Sequence, residues 1–329
     1  MSDARLIAAL AGLSVCALGA ALVLGPTPLG AGDVLAALLG GGEAAARVIV
    51  WEIRLPRALA AFLVGAGLGL SGAALQGLLR NPLADPGVLG VSAAASLGAT
   101  MTLFTGAAAV WAWAMPLAAV ACALAATGLL AVAAARVGSV VTLILIGVGL
   151  SSFAGALMAA MMNFAPNPFS LSDMVNWMLG TVANRSFADI GFAAPFLLAG
   201  AGILFAAARG LSALALGEEA AAGVGLDVAR ARIAVVAGAG LATGAAVSLA
   251  GAIGFVGLVA PHLVRPWVGH QPGRTLAPAA LLAGLMLLLA DLVVRIAPGP
   301  AELKLGVVAS LLGAPAFVWI AARRRAQDG

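Results

Sequence analysis

Charge is scarce in this 329-residue chain. Asp, Glu, Lys and Arg together supply 9% of the residues, where a soluble domain carries about 25%. So few polar groups cannot cover a molecule of this size with a wetted surface, and lipid must solvate most of it. Lysine is nearly absent: Lys304 is the single one, and no Gly-Lys pair occurs. A GxxxxGK[ST] phosphate loop is thereby excluded, so a process driven by ATP would need its nucleotide site on another subunit. Acids are missing from the apolar stretches. Asp291 is the only one placed within a stretch, which leaves no Asp/Glu/His relay of the kind proton-coupled carriers hold at mid-membrane. Nor is there a DDxxD-like acidic pair, paired carboxylates or a nucleophile constellation in those stretches to serve a lipid-embedded enzyme. The two cysteines, Cys16 and Cys122, lie inside apolar runs without metal-ligand spacing and read as small core residues.

What the chain has in abundance is apolar length: 63% hydrophobic residues and a mean hydropathy of +1.12. A crossing takes about 20 apolar residues. Runs at roughly 6–25, 58–79, 88–107, 112–135, 140–162, 190–208, 231–251, 253–264, 276–297 and 304–321 predict an all-α polytopic membrane protein. The expectation is about ten transmembrane helices in one transmembrane domain spanning 1–329. The first run follows Arg5 but lacks a clear A-x-A cleavage site, so it is read as a retained span. Residues 233–264 are predominantly apolar and carry no Asp, Glu, Lys or Arg. As one helix they would reach about 48 Å, too long for one crossing and too short for two with a turn. The expectation is a full span, a turn at Gly251–Gly254, and a short or re-entrant helix kept inside the bundle, where irregular backbone is tolerated.

Ten spans put both termini on one side. With the Arg323-Arg324-Arg325 tail inside, 11 basic residues fall inside and 6 outside, the cytoplasmic bias expected of membrane proteins. The net charge of +4 is spread along the chain. It reads as membrane orientation and not as a nucleic-acid surface.

Four segments interrupt the apolar pattern. The first, LSALALGEEAAAGVGLDVARAR at 211–232, gathers Glu218, Glu219, Asp227, Arg230 and Arg232 on the inner side. Acids in a first turn suit a helix starting at Glu218. Gly223 and Gly225 would break it, and Asp227 would cap the next span. The island is either a solvated loop or a docking helix for a cytosolic partner. The second, QGLLRNPLADPGVLGVS at 76–92, holds two X-Pro steps. It is a tight interhelix turn or a constriction lined by Asn81 and Leu83. The third, from Trp51 to Gly77, sets Arg54 and Arg57 three apart on one helical face at the outer end of a glycine-rich span. They anchor at lipid head groups or receive acidic residues of an external partner, while the glycines allow close helix packing. The fourth, the periplasmic segment 163–189, is a re-entrant interfacial helix with an aromatic anchor, or a substrate rim. His262, after Pro261, reads as a capping residue sooner than a ligand.

RLPRALAAFLVGAGLGLSGAALQGLLRNPLADPGVLGVS, the island, GAIGFVGLVAPHLVR, LLLADLVVR and AELKLGVVASLLGAPAFVWI resemble, in order, the FecCD-type permeases. These are the membrane subunits of bacterial ABC importers for ferric siderophores, haem and vitamin B12. The resemblance implies the type II ABC importer fold in the bacterial inner membrane, with both termini cytoplasmic. It implies a homodimer with a second permease copy around a central path, a periplasmic substrate-binding protein, and cytosolic ATP-binding subunits. ATP and Mg would reside on those subunits, with no cofactor, metal or catalytic residue on this chain. It implies a cytoplasmic coupling loop at 211–230, with coupling to the ATPase through Leu216, Gly217, Glu218, Glu219, Ala220 and Ala221. It implies a cytoplasmic gate at Asn81, Leu83 and Thr142, and binding-protein docking at Arg54, Arg57 and Arg295. Alternating access and a ferric siderophore cargo are the expectations, with vitamin B12 or haem as alternatives. The island carries Ser212 where many members have Asn, and Lys304 adds a positive charge near the docking face. A secondary transporter or lipid-embedded enzyme remains a remote alternative. Asp291 and Arg295, four residues apart, read more simply as a local ion pair than as a proton relay.

Overall fold

In hydrocarbon a backbone amide has no water to bond, so each crossing must satisfy its own polar groups. The computed structural model, which describes residues 3–136, 140–297 and 303–325, accordingly holds helices and no strand among those residues. In chain order these are α1 (Asp3–Val23), α2 (Ala31–Leu38), α3 (Ala44–Val48), α4 (Leu55–Leu78), α5 (Val91–Phe104), α6 (Ala107–Val110), α7 (Ala114–Arg136) and α8 (Val140–Asn163). There follow α9 (Pro168–Met178), α10 (Phe187–Ala206), α11 (Ala208–Leu214), α12 (Glu218–Gly223), α13 (Val228–Ala250), α14 (Val256–Val264), α15 (Pro272–Ile296) and α16 (Leu305–Arg325). A π-helical stretch Ile49–Arg54 joins α3 to α4, and 3-10 turns occupy Pro86–Leu89 and Arg265–Val268.

Ten of these elements match the ten apolar runs. Among the described residues seven helical stretches are long and apolar enough to cross a membrane: α1, Ala44–Leu78, α7, Val141–Asn163, α10, α13 and α15. Helices α5, α14 and α16 complete the set. Two differences from the sequence reading stand out. The second crossing begins earlier than residue 58, because α3 runs through the π-helical stretch into α4 without a break. The third is short. At 14 residues, α5 spans about 21 Å, and α6 and the Pro86–Leu89 turn take up the rest of the 88–107 run.

Burial sorts the helices into a centre and a rim. In Ala44–Leu78 and α13, 78% of the apolar window is buried, against 22% in Val141–Asn163 and α10. The centre is built by omitting side chains. A Cβ on Gly65 or Gly69 of α4 would collide with the backbone of α15 at Ala283 and Ala279, and one on Gly72 with the Gly257 carbonyl of α14. On α10, a Cβ on Gly200 would lie 2.8 Å from the Gly238 carbonyl oxygen of α13. Small residues let backbones approach where lipid provides no hydrophobic drive between helices.

The turn expected at 251–254 is present as irregular backbone between α13 and α14. It begins at Gly251 (φ +71°) and ends at Phe255 (φ +65°). Gly257 lies against the middle of α4, while Ser71 of α4 donates to the Ala239 carbonyl halfway along α13. The chain therefore turns back into the bundle, and α14 covers only part of a crossing. The loop after α9 supports the bend: Thr181 N–H donates to the Ala250 carbonyl at 2.7 Å. The same loop reaches α16, whose Gly306 N–H donates to the Gly180 carbonyl at 3.2 Å. Non-helical backbone at membrane depth persists only when protein surrounds it in this way.

Candidate functional site

The polar island folds as its capping residues dictate. α11 ends at Leu214, and Gly217 (φ +110°) turns the chain into α12. Glu218 and Glu219 sit in the first turn of α12, where carboxylates favour the helix dipole. The Leu226 N–H closes back on the Ala221 carbonyl at 3.0 Å. Asp227 then caps α13, its Oδ1 accepting from Arg230 N–H at 3.0 Å. The motif offers two kinds of surface. Ala221 is fully buried and seats α12 on the bundle, whereas Leu216 is 75% exposed and Glu219 is exposed beside it.

One contact here was not legible in the sequence. Arg232, 4% exposed on α13, donates to Glu218 Oε1 at 2.7 Å and to the Ala134 carbonyl of α7 at 3.3 Å. Glu218 thus faces inward as the tie between α12 and two spans. No helical spacing relates residues 14 apart in sequence across two glycine turns, so only the folded loop shows it.

The 79–90 turn packs beside α8. Asn81 Oδ1 accepts from Leu83 N–H at 2.9 Å, and Leu83 is 45% exposed. Asp85 caps the 3-10 turn through Gly87 N–H at 2.8 Å. Burial pushes the Asp85 carboxyl above its ordinary range, with the Gly87 amide pulling the other way. A Cβ on Gly147 of α8 would lie 2.6 Å from the Val88 carbonyl oxygen, and Ser151 donates to the Gly87 carbonyl at 3.3 Å. Thr142 lies half-buried about one and a half turns before Gly147 on the same helix. The structure therefore brings Asn81 and Leu83 into one turn, and fixes that turn to the helix that carries Thr142.

The external arginines are disposed differently from the expectation of a docking surface. Arg54 is 4% exposed, and its guanidinium donates to the Leu22 and Val23 carbonyls at 2.7 and 2.8 Å and to that of Thr27. The first two carbonyls end α1, whose C-terminus leaves acceptors unsatisfied, and the third lies in the loop that follows. Arg295, also buried, donates to Ala21 at 3.1 Å and to Asp291 Oδ2 at 2.7 Å. Asp291 is fully buried and is shared: Arg57 Nε and Nη2 donate to its other oxygen at 2.9 and 2.8 Å. The expected Asp291–Arg295 pair is present, and Arg57 from α4 is a third member. A buried charge is costly unless it is paired, so these contacts lock α1, α4 and α15 together at this end. Of the three arginines, Arg57 keeps the most accessible side chain, at 13%.

Segment 163–189 contains α9, capped by Asn167 through Ser170 N–H at 2.8 Å. Trp177 is not a lipid anchor. It is 5% exposed in the core, with the Arg185 guanidinium 5.6 Å from its ring. Burial lowers the Arg185 pKa, and Asp189 opposes that shift. Beside this segment, Met178, Leu179, Ala252, Gly306, Val307 and Leu311 line an apolar groove of about 460 Å³. Among the described residues no three His, Cys, Asp or Glu side chains gather to hold a metal.

The comparisons with known proteins bear on these features together. The FecCD transport family matches residues 12–323. The uncharacterized ABC transporter permease protein YvrB of Bacillus subtilis is 41% identical over 281 residues, 84% of this chain and 79% of that protein. The vitamin B12 import system permease protein BtuC of Klebsiella pneumoniae is 39% identical over 284 residues, 86% of this chain and 85% of that one. A solved structure of a metal-chelate type ABC transporter in an inward-facing conformation superposes with a TM-score of 0.85 at 29% identity. It covers 98% of this chain and 99% of the other. A transport permease explains a bundle held by buried glycine contacts, and the chain belongs to the FecCD transport family.

Proposed function

We propose that this permease is the membrane subunit of an ATP-driven importer that moves a metal chelate across the bacterial inner membrane by alternating access. The observation that carries the reading is the island: a short exposed helix, seated by Ala221 and the Glu218–Arg232 pair, with Leu216 and Glu219 left outward. Such a helix transmits a push from a cytosolic ATPase into α7 and α13, because Arg232 ties it to both. ATP and Mg belong to that ATPase, since this chain has no Walker lysine. The arginine distribution favours a cytoplasmic island end with both termini on that side.

A second copy is proposed to meet the apolar groove along α16 and Met178–Leu179, where Leu311 is 67% exposed. Asn81, Leu83 and Thr142 form the cytoplasmic gate of the path between copies. Arg57 is the arginine proposed to meet a periplasmic binding protein, with Arg54 and Arg295 holding the helix ends that present it.

The cargo is a chelate. A ferric siderophore is the first proposal, on the prevalence of that cargo in the family. The permeases named for vitamin B12 import favour a corrinoid as the second. The test is uptake into proteoliposomes carrying the permease with the ATPase and binding protein from its own operon. ATP-dependent accumulation of a ferric siderophore or of cyanocobalamin is expected. Uptake by the permease alone, driven by an ion gradient, would overturn the reading.

A further inference from the structure

Helix α14 is held at both ends by contacts with segments of opposite function. The bend before it touches the end of α9 and the loop that follows: a Cβ on Gly251 would lie 2.3 Å from the Trp177 carbonyl oxygen, and one on Gly180 would lie 2.4 Å from that of Ala252. Gly257, in the first turn of α14, packs on α4 and on the inner turn together. A Cβ there would lie 2.8 Å from the Leu68 carbonyl oxygen and 3.0 Å from Pro86 Cδ. Leu68 sits about 15 Å before the end of α4 at Leu78. The short helix therefore runs from the middle of the bundle to the island end.

Gln76, in the last turn of α4 and 3% exposed, joins α14 to the inner turn. Its amide nitrogen donates to the Ala84 carbonyl at 3.2 Å and to the Leu258 carbonyl at 3.1 Å, and its Oε1 accepts from Arg265. One side chain thus binds the residue after Leu83, the first turn of α14 and the residue that follows α14. The Ala84 N–H donates in turn to the Asn81 carbonyl at 3.2 Å, so the tie reaches the whole 81–84 turn. Two donors on one nitrogen beside an acceptor are the property of a primary amide, which no carboxylate or apolar side chain of that size supplies. Beyond each end of α14 the backbone is irregular. Phe255 (φ +65°) precedes it, and Gly269 (φ +66°) and His270 (φ +59°) follow the 3-10 turn after it. A Cβ on Gly254 would meet nothing within 4 Å. Hinges fall at such element ends, so α14 can shift without bending α13 or α15.

We propose that Gln76 is a positioning residue that makes the inner gate move with α14, so that a displacement of segment 163–189 reaches Asn81 and Leu83 through this short helix. The inference rests on the importer and gate readings given above. Coupling of this kind needs a contiguous chain of packed elements that both sites bias. Here the chain is the α9 loop, the 251–254 bend, α14, the Gln76 amide and the 81–84 turn. Gln76 is its narrowest point, because a single side chain carries both of the hydrogen bonds between α14 and the turn.

The test uses the complete complex in nanodiscs, with the ATPase and binding protein of the same operon. In wild type, amide hydrogen exchange is followed with and without the binding protein. The amides of 83–85 and of 256–260 are expected to change together. A change confined to one of the two segments, or none in either, would overturn the proposal without any variant. Gln76→Met, which fills the same space without polar groups, is then compared with Gln76→Glu, which keeps the acceptor for Arg265 and loses both donors. In each, exchange at 83–85 should quicken about tenfold, as expected for the loss of one to two hydrogen bonds. The ratio of binding-protein-stimulated to basal ATP hydrolysis should fall toward one. A purely structural defect lowers both rates alike and leaves that ratio unchanged, which would overturn the proposal. A Gln76→Glu complex that keeps the wild-type ratio would place the role in the Arg265 contact and overturn it as well. Leu83→Ala separates the two readings. A ratio that falls in Leu83→Ala but not in the Gln76 variants leaves the gate and removes the link, whereas a ratio unchanged in all three removes the gate reading too.

Discussion

Asp291 is the residue on which the outer end of the bundle turns. One carboxylate holds two guanidinium groups from different elements, at zero exposure. Removing it leaves two buried cations facing each other, so Asp291→Ala should cost about 3–5 kcal/mol, the range for breaking a buried pair. Thermal unfolding in detergent measures this, and Arg57→Gln added to Asp291→Ala should recover part of the loss. Asp85 makes a smaller, pH-dependent statement. Its carboxyl is raised by burial. The contribution to stability is therefore fully present below the ordinary aspartate range and is lost as pH rises through the raised value. Asp85→Asn should remove that slope and keep the cap, whereas Asp85→Ala should lose the Gly87 hydrogen bond at a cost of about 1 kcal/mol. A pH series of unfolding midpoints separates the two. Much at this scale was legible beforehand. Asp227 as a cap and Asp291 beside Arg295 follow from spacing of three or four residues. Arg57 meeting Asp291 and Arg232 meeting Glu218 do not, because those pairs are made by the way helices cross and loops fold back.

Among the elements, the glycines of α4 define how closely the central helices approach. Gly72→Ala would drive a methyl into the Gly257 carbonyl, and the expected penalty is about 1–3 kcal/mol, as for other overpacked cores. Gly128→Ala on α7, with nothing within 4 Å of the added Cβ, should be tolerated. The two unfolding midpoints, measured side by side, distinguish a packing role from a mere effect of composition. The sequence reading found the elements because apolar runs, glycine-rich faces and helix caps are local signals. It placed the break at 251–254 because 32 apolar residues fit neither one crossing nor two. It did not shorten α5 or extend α4 back through Ile49–Arg54, since both depend on what the neighbouring helices leave room for. Nor did it bury Trp177, whose setting beneath Gly251 and Gly180 comes from a chain reversal made about 70 residues later.

For the whole molecule, the family places the chain among transport permeases, and the proposed coupling role makes the island the point where force from a partner would enter. The tie from Glu218 to Arg232 and on to the Ala134 carbonyl makes α12 a rigid extension of α7 and α13. Reversing Glu218 would set two guanidinium groups together and confuse folding with coupling. Leu216 and Glu219 face outward and avoid that problem. The decisive measurement is therefore the ATPase activity of the complete complex in nanodiscs, with the ATPase and binding protein of the same operon, comparing wild type with a Leu216→Asp/Glu219→Arg permease. The account predicts a folded permease, shown by an unchanged unfolding midpoint, that fails to retain the ATPase or loses binding-protein-stimulated turnover. Unchanged assembly and turnover would mean that the island is only a solvated loop, and would contradict the coupling role given to it.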